Sequence, residues 1–579
     1  MSPSRITVHP LVLRRVEVLR VLDVTPRMRR ITLGGEELGA FSRDGLSFPG
    51  FASPGFDDHV KILLASEGSV EDILPRQLEH GIEWGAAPHR QARDYTPRRV
   101  GHHDLDLDFV LHSAGPADGP AEAWARAAKP GDPLWFVGPK SSTRVPEDAD
   151  RALLIADETG LPAISRFLEE RPLTVPVRAL ITIGHDSARQ ELATRPGDRI
   201  DWIVAEPGDP AALEEAVAAL EPEVWEGTPY VWAAAEARSL LPVRKLTLRR
   251  HGVPRSRTDI TGYWHVRREE PAAATGTEQR GPAAAPSGAE PIPSPLAWLA
   301  VRAALEAGIL DAVDDGAHTA GELEARLGLA SGSTSALLSF LTFRGVLATG
   351  PQGLTLGPLG TEVLGDEHAR EEFQGSEADA VLALTALPGA LRTGRSAWQV
   401  MNGVTLAESV AGDPELAEEL AEEAGGLAYL MPGLVALPLW KSVSAVVCDG
   451  PGAAPVGEAL KAAHDLKPGV QYGHGPRPEV TIQAMALGHR TDEEAAEHLR
   501  RLNGTAPHLV LVERTRQDAL SPRAQEEQLL QFALTGAPAR STARLAELAG
   551  QAGWRLDASH ELGWGVEALV FASSGTAER

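Results

Sequence analysis

Short segments that alternate apolar and polar residues fill the first part of the chain. Residues 11–115 contain VEVLRVLDV, HVKILLA and LDLDFVLHSAG, and Gly and Pro separate these segments. A period of two indicates strands with one buried face, joined by turns. We therefore expect an antiparallel β-barrel, with domain bounds at residues 12–145.

The pattern changes in residues 146–268, where buried strands alternate with helical segments. The strands are RALLIAD, VRALITIGH, DRIDWIVAE and PYVWAAA, and the segments between or after them, SRFLEE, ARQELATR, AALEEAVAAL and RSLLPVRKLTLRRHG, have helical character. This alternation predicts an α/β domain with a parallel sheet. Residues 269–295 are rich in Ala, Pro, Gly and Glu without periodicity, which is typical of a linker.

Helical periodicity returns in residues 296–440. The segment from HTAGELEARLGL to TLGPLGTEVL predicts two helices and a short ribbon turned by glycine, the order found in a winged helix. In residues 441–579, VSAVVCDGPG, EVTIQAMAL and HLVLVER again have the composition of buried strands. The sequence therefore predicts a multi-domain protein that ends in a second α/β domain.

The composition limits the kinds of chemistry that the chain can carry out without a cofactor. A chain of 579 residues with 43% hydrophobic content can build several cores. Its single cysteine, Cys448, excludes an internal disulfide and a cysteine-held iron–sulfur cluster, so redox chemistry would need a bound cofactor.

The charge balance limits the classes of partner that we expect the chain to bind. The net charge is −25, and residues 291–579 carry about −17 of it, which argues against nucleic acid or anionic lipid as a partner. We expect an anionic ligand to bind the first half of the chain. The sequence has neither a signal-peptide core nor a long apolar run, so membrane insertion is not expected and a cytoplasmic location is.

The segment RDYTPRR, residues 93–99, combines residue types that suit a flavin. An arginine, Arg93 or Arg98, can neutralise a pyrophosphate. The ring of Tyr95 can stack on an isoalloxazine, and the hydroxyl of Thr96 can hydrogen-bond flavin N5.

The next segment, DFVLHSAGPADGPAEAWARAAKPGDPLWFVGPK, resembles the siderophore-interacting protein family. These flavin-dependent ferric-siderophore reductases are related to ferredoxin reductases. The resemblance implies that a helix starting in this segment turns its backbone N–H groups to the FAD phosphates. The implied FAD-binding residues in and around this segment are His112, Gly119, Pro120, Ala123 and Trp124.

Two later segments extend the resemblance through residue 268. ADETGLPAI follows the strand RALLIAD, and DITGYW at residues 259–264 is similar to the family's closing motif. The resemblance implies an NAD(P)H-binding domain at residues 146–268, in which Asp157, Glu158, Thr159 and Gly160 contribute to cofactor binding. NADPH, NADH or a ferredoxin remain open as the electron donor.

The family's reaction is reduction of a ferric siderophore and release of Fe(II), because hard oxygen donors hold Fe(II) less firmly than Fe(III). An anionic siderophore would need cations near the flavin. Lys61 and Lys140 stand at strand ends near the flavin motifs, and Arg144, Lys245 and Arg249 are weaker candidates. The siderophore type stays open, and no catalytic acid or base and no resident metal is assigned.

Residues 296–579 resemble S-adenosylmethionine-dependent O-methyltransferases with a winged-helix dimerisation domain, which implies a homodimer. Their glycine-rich cofactor turn is DGPGAAP here, residues 449–455, and Gly452 is the one family glycine that remains. Proline cannot take a positive φ or donate an N–H, so the turn is compromised. The segment that carries the family's catalytic histidine reads LGHRTD, which displaces His489 by one position. We therefore expect a degenerate domain that serves folding, dimerisation or docking.

Three alternatives remain open. The protein could be bifunctional and methylate a siderophore or a related metabolite. It could be a siderophore-binding or trafficking protein with a vestigial flavin site. A winged-helix transcription regulator is a further reading, which the acidity of residues 291–579 disfavours.

Overall fold

The structure is a computed structural model that describes residues 6–111, 119–265, 294–365, 367–443, 445–463, 469–472, 478–517 and 524–573. His112 and most of the predicted linker lie outside these residues. No helix in the described ranges has both the length and the apolarity that crossing a membrane requires.

A seven-stranded antiparallel sheet forms the first unit, in the order β10-β11-β3-β2-β12-β6-β9. Its core contains Ile31, Leu33, Ile62, Phe109 and Phe136, which come from alternate positions of the strands. Three two-stranded pairs, β1–β13, β4–β5 and β7–β8, flank the sheet. The elements are β1 (Ile6–Val8), β2 (Leu13–Thr25), β3 (Met28–Gly34), β4 (Phe41–Arg43), β5 (Leu46–Phe48), β6 (Val60–Ala65), β7 (Arg76–Gln77), β8 (Ile82–Glu83), β9 (Arg90–Tyr95), β10 (Pro97–Val100), β11 (Asp104–Val110), α1 (Pro120–Ala127), β12 (Pro133–Val137) and β13 (Ser141–Thr143).

A parallel five-stranded sheet in the order β16-β15-β14-β17-β18 forms the second unit, as the strand–helix alternation predicts. The helix predicted for ARQELATR is wrong, because a single 3-10 turn at Asp186–Ala188 precedes irregular chain there. Pro196 follows directly, and a proline disfavours helical backbone in the residue before it. The elements are β14 (Arg151–Ala156), α2 (Leu161–Glu170), β15 (Val177–Ile183), β16 (Arg199–Val204), α3 (Pro210–Ala218), β17 (Pro229–Glu236), α4 (Leu241–Arg244), a π-helical turn (Lys245–Arg250) and β18 (Thr258–Trp264).

Helices dominate the third unit, and a two-stranded hairpin follows its fourth helix. The order helix, helix, hairpin at α7, α8 and β19–β20 is the order that the winged-helix prediction requires, and that assignment stays a prediction. The elements are α5 (Leu296–Glu306), α6 (Ile309–Asp314), α7 (Ala320–Leu327), α8 (Ser335–Phe343), β19 (Leu347–Gly350), β20 (Gly353–Leu356), α9 (Pro358–Gly365), α10 (Glu367–Glu371), α11 (Ser376–Ala383), α12 (Leu387–Thr393), α13 (Ala397–Asn402), α14 (Leu406–Gly412), α15 (Pro414–Glu423) and α16 (Met431–Val435).

A six-stranded sheet in the order β22-β21-β23-β24-β26-β25 forms the last unit. The first four strands of this order are parallel, and β26 runs antiparallel to both of its neighbours. Helices pack beside the sheet, so the second α/β domain is present as predicted. The elements are β21 (Ala445–Asp449), α17 (Ala453–Ala462), β22 (Gly469–Tyr472), β23 (Val480–Ala484), α18 (Asp492–Leu502), β24 (His508–Arg514), α19 (Ala524–Thr535), α20 (Thr542–Gln551), β25 (Trp554–Gly563) and β26 (Val566–Ser573).

Two patches of contact join the first two units to the last two. In one, the turn between β25 and β26 packs on β8, where the Gly565 N–H donates to Glu83 Oε2 across 3.3 Å. In the other, Arg238 pairs with Glu362 on α9 across 2.6 Å. The methyltransferase-like half therefore lies directly against the half that carries the flavin motifs.

Candidate functional site

The segment RDYTPRR crosses from β9 to β10, as its alternating pattern requires. The ring of Tyr95 lies 4.4 Å from that of Phe109, centroid to centroid, and Trp124 of α1 lies 5.6 Å from Phe109. Burial raises the pKa of the Tyr95 hydroxyl, and Arg93 and Glu122 are its charged neighbours. The tyrosine motif and the start of α1 therefore share one site.

The two arginines of this segment differ in their surroundings. Arg93 is exposed, donates to the Ala92 carbonyl across 2.8 Å, and pairs with no carboxylate in the part of the chain that the structure describes. Arg98 forms two hydrogen bonds to the Glu169 carboxylate on α2, at 2.8 and 2.5 Å. Arg93 is therefore the arginine that can turn to a pyrophosphate, while Arg98 joins the first two units.

The start of α1 fits a phosphate. No side chain caps this helix at Gly119, and Pro120 in its first turn has no N–H of its own. Within the described ranges, no atom other than those of its chain neighbours lies within 4 Å of a Cβ added at Gly119. Ala123 is exposed and Trp124 is half-buried. Backbone N–H groups at a helix start, together with Arg93, are the donors that a flavin pyrophosphate needs.

Asp157 lies just beyond β14 and accepts hydrogen bonds from three other residues. The donors are the Thr159 N–H and hydroxyl at 2.8 and 2.5 Å, the Glu236 N–H at 2.9 Å and the Trp264 indole N–H at 2.7 Å. Burial raises the pKa of this carboxyl, although each hydrogen bond lowers it. Asp157 thus ties the ends of β14, β17 and β18 together and orients the loop at residues 157–160.

Glu158 joins the nicotinamide-type domain to the flavin-type sheet. Its carboxylate receives two hydrogen bonds from Arg27, which lies between β2 and β3, at 3.0 and 3.3 Å. The Gly184 N–H donates to the same carboxylate across 3.3 Å. Gly160 is required for close packing, because a Cβ there would lie 2.6 Å from the Ala234 carbonyl oxygen.

These residues border an open cleft at the carboxyl ends of β14, β15 and β16. Its walls include Val110 of β11, Asp157 through Thr159, Gly184, Pro207 and Trp264. Ligands of open α/β sheets bind at this edge. Gly184 and Pro207 were not predicted as site residues. Gly184 lies near the end of the predicted strand VRALITIGH and Pro207 follows DRIDWIVAE, and a position at a strand end is the signal that would have found them.

Tyr263 of the closing motif precedes Trp264 of the cleft wall and lies beside the flavin motif. The Thr96 side chain lies beside its hydroxyl, and Asp57, Asp94 and Asp157 are its charged neighbours. Thr96 is 6% exposed and Tyr263 is 36% exposed, so Tyr263 remains accessible to a ligand beside the buried threonine. Thr96 and Tyr263 are far apart in the sequence. They nevertheless lie side by side where we expect the flavin ring.

Asp57 lies beside this meeting point and was not predicted from the sequence. Trp232 donates its indole N–H to Asp57 Oδ2 across 3.2 Å, whereas buried Asp57 Oδ1 has no hydrogen-bond partner among the residues that the structure describes. Burial and the nearby Asp259 and Asp58 carboxylates raise the pKa of Asp57 to about 7. Asp57 can therefore hold a proton at neutral pH.

Two of the predicted substrate cations lie together near the flavin motif. Lys61 pairs with Asp94 across 2.8 Å. Lys140 Nζ lies 4.7 Å from the ring centroid of Tyr429, a residue of the second half. His59 has Lys61, Lys140 and Asp94 among its charged neighbours, and burial lowers its pKa. This cluster adjoins β9, which carries Tyr95.

The other three predicted cations are engaged elsewhere. Arg144 donates to the Thr7 hydroxyl across 3.0 Å. Lys245 pairs with Asp314 of α6 across 2.6 Å, and Arg249 donates to the Leu364 carbonyl across 3.3 Å. Lys245 and Arg249 therefore hold the two halves together, and a substrate site near the flavin motif rests on Lys61 and Lys140.

The methyltransferase-type turn after β21 is covered by side chains. A Cβ at Gly452 would lie 2.4 Å from Leu427 Cδ1 and 3.0 Å from Ala484 Cβ, so Leu427 packs directly on the turn. Leu427 is 3% exposed. Half-buried Arg490 has Asp449 and Glu513 among its charged neighbours.

His489 lies in the same covered region. It is 8% exposed, and burial and the adjacent Arg490 lower its pKa to about 3. Such a histidine is neutral at physiological pH and has little access to a solvent-borne substrate. The loss of the cofactor cradle stays a prediction.

Two family models match the first two units of the chain. Residues 17–143 match the siderophore-interacting FAD-binding domain, and residues 149–267 match the siderophore-interacting protein domain. The NADPH-dependent ferric-chelate reductase of Escherichia coli (strain K12) is 32% identical over 270 residues, which are 46% of this chain and 97% of that protein. The chain belongs to the siderophore-interacting protein family.

Other proteins of the family show the same coverage. The ferric vibriobactin reductase ViuB of Vibrio cholerae is 25% identical over 263 residues, 45% of this chain and 92% of that protein. A siderophore utilization protein from T. fusca, known as a crystal structure, is 34% identical with a TM-score of 0.40, and the match covers 47% of this chain and 98% of that one. These matches leave more than half of the present chain unmatched.

A different set of structures resembles the chain over a similar share. The O-methyltransferase NcsB1 from neocarzinostatin biosynthesis is 24% identical with a TM-score of 0.38, and the match covers 48% of this chain and 96% of that one. The siderophore-interacting family membership itself rests on residues 17–267.

Proposed function

We propose that the chain is an FAD-dependent NADPH:ferric-siderophore oxidoreductase that releases Fe(II) in the cytoplasm. The proximity of Tyr263 to Thr96 carries this proposal, because it places the closing motif, whose next residue Trp264 lines the cleft, beside the flavin motif. The names of the relatives from E. coli and V. cholerae, a ferric-chelate reductase and a ferric vibriobactin reductase, support the substrate class. One NADPH supplies two electrons, so two Fe(III) ions become Fe(II) while NADP⁺ and one proton are released.

The residues present fit FAD. Arg93 and the first-turn N–H groups of α1 would hold the pyrophosphate, Tyr95 would stack on the ring, and Thr96 would donate or accept a hydrogen bond at the ring edge. Bound flavin would accept a hydride and pass electrons singly to iron. Asp157 and Trp264 shape the adjoining cleft for the nicotinamide.

The substrate end of the site is cationic. Lys61 and Lys140 lie beside the strand that carries Tyr95 and would attract an anionic ferric siderophore. Iron would arrive and leave as part of the substrate rather than as a resident metal.

The decisive experiment is anaerobic turnover of the purified, flavin-loaded protein. Several ferric siderophores are offered with NADPH or NADH, and Fe(II) is trapped by a chromogenic chelator. We expect Fe(II) formation with a preference for NADPH. If flavin is bound and no combination of donor and siderophore yields Fe(II), the proposed reaction is wrong.

We further propose that the methyltransferase-like half does not transfer methyl groups and that it forms a homodimer through its helical unit. Leu427 on the Gly452 turn supports the first point. Phe343, 80% exposed, and Leu391, 67% exposed, support the second. Calorimetric titration with S-adenosylmethionine and light scattering of the full chain test the two points. Micromolar S-adenosylmethionine binding or a monomer at all concentrations would contradict them.

A further inference from the structure

The second half of the chain reaches the cationic cluster beside the flavin motif. We propose that Tyr429 and Lys140 together form a subsite for the aromatic arms of catecholate or phenolate ferric chelates. Tyr429 is then a specificity-determining residue that the second half adds to the reductase. This inference rests on the proposed function, because it concerns the substrate of the same site.

The turn at residues 563–565 holds Tyr429 in place. Gly563, Trp564 and Gly565 have φ values of 116°, 53° and 75°, so the chain turns sharply at the end of the β25–β26 hairpin. The side chain of Trp564 packs against the core of the last unit and also against the cluster around Ile82 and Trp84. The rings of Tyr429 and Trp564 lie 5.8 Å apart. Trp564 therefore fixes Tyr429 relative to the flavin-type sheet.

Ion pairs reinforce this position around the turn. Glu561 of β25 pairs with Arg76 of β7 and with Arg516, each across 2.6 Å. Arg516 also lies 3.5 Å from Glu83 of β8. These contacts join two parts of the chain that the linker separates, so Tyr429 is presented to Lys140 by a fixed contact surface.

The chemistry of the pair favours one class of ligand. The Asp94 carboxylate offsets the charge of Lys61, whereas Lys140 faces the ring of Tyr429. Tyr429 and Lys140 are both half-buried, so part of each remains open to a ligand. A ferric tris-catecholate carries a net charge of about −3 and planar rings, which suit an ammonium beside an aromatic ring. A ferric tris-hydroxamate is neutral and aliphatic, so it gains little from the same pair.

Tyr429 lies outside the part of the chain that matches the E. coli relative. The E. coli protein is matched over 97% of its length by 270 residues of this chain. The family domains end at residue 267, so such a relative has almost no chain left to supply a counterpart of Tyr429. The aromatic wall at Lys140 is therefore a property of the fused chain.

The test measures binding of redox-inert gallium(III) chelates to the full, oxidised protein by calorimetry. Gallium(III) tris-catecholate and gallium(III) tris-hydroxamate are compared in the unchanged protein, in Tyr429→Ala and in Tyr429→Leu. Leucine keeps apolar bulk beside Trp564, so it separates loss of the ring from loss of packing. Trp298→Ala is the matched control, because Trp298 is an aromatic residue of the same half that packs on Phe373 within the helical unit.

We expect both Tyr429 variants to weaken catecholate binding about 5- to 10-fold and to change hydroxamate binding less than twofold. Trp298→Ala should change neither. Unchanged catecholate binding in Tyr429→Leu, equal weakening for both chelates, or no catecholate binding to the unchanged protein would overturn the inference. Because gallium is not reduced, these results are independent of whether the protein reduces iron.

Discussion

Trp264 donates its indole N–H to Asp157 Oδ2 across 2.7 Å. This hydrogen bond joins β18, the last strand of the parallel sheet along the chain, to the acidic loop that follows β14, the first strand. The same carboxylate receives three further hydrogen bonds, from Thr159 and Glu236. Trp264 also forms part of the cleft wall. One contact therefore links the stability of the domain to the shape of its ligand site.

Replacing Trp264 by phenylalanine should loosen the cleft. The change leaves a buried carboxylate short of one donor, which costs about 1–3 kcal/mol of unfolding free energy. We expect a lower melting temperature and a several-fold higher KM for NADPH, measured by calorimetry and steady-state kinetics.

The matched control for this prediction is Trp225→Phe. Trp225 stacks on His251 at 4.1 Å and takes no part in the cleft wall. The prediction is wrong if Trp264→Phe leaves KM for NADPH as unchanged as the control does.

The two arginines of the flavin motif should separate cofactor binding from domain contact. Arg93→Gln removes an exposed cation that can reach a pyrophosphate, and loss of one charge-assisted hydrogen bond should weaken FAD binding about 10-fold. Arg98→Gln removes the ion pair with Glu169 and should lower the melting temperature with less than a threefold effect on FAD affinity. Fluorescence titration of deflavinated protein with FAD measures both, and the reverse order of affinities would contradict the assignment.

Asp57 should make the stability of the folded protein depend on pH. Its pKa is about 7 in the folded protein, well above the ordinary value of 3.8, because of burial and the Asp259 and Asp58 carboxylates. The folded state therefore binds a proton that the unfolded state releases between these values. Stability falls as pH rises from about 4 to about 7, and none of this loss is present below pH 4.

Asp57→Asn should remove that loss. We expect the variant to gain about 2 kcal/mol relative to the unchanged protein on going from pH 5 to pH 8, followed by urea unfolding at each pH. Asp259→Asn removes one cause of the raised pKa and should move the transition to lower pH. A stability difference between Asp57→Asn and the parent that stays constant across pH would show that Asp57 does not hold this proton.

Local motifs could be predicted from the sequence, whereas contacts between distant segments could not. Tyr95, Thr96 and the loop at residues 157–160 follow strands whose periodicity is legible, so their placement follows from the fold. Charge alone shows nothing of a partner, which is why Lys245 stood among the weaker substrate candidates until its pairing with Asp314 was known. The role of Asp57 depends on burial between two domains, and the role of Tyr429 depends on how two halves pack.

The packing of Trp564 should determine whether the two halves unfold together. Its indole packs on the cores of both halves, and it stands in a left-handed conformation between two glycines with positive φ. Trp564→Ala removes this shared packing, at a cost of about 3 kcal/mol. We expect scanning calorimetry to show one main transition for the unchanged protein and two separated transitions for the variant. Trp298→Ala is the control, because Trp298 packs on Phe373 inside the helical unit and should leave the coupling intact. If Trp564→Ala still unfolds in one transition, the contact at residues 563–565 does not couple the halves, and Tyr429 would need another support beside Lys140.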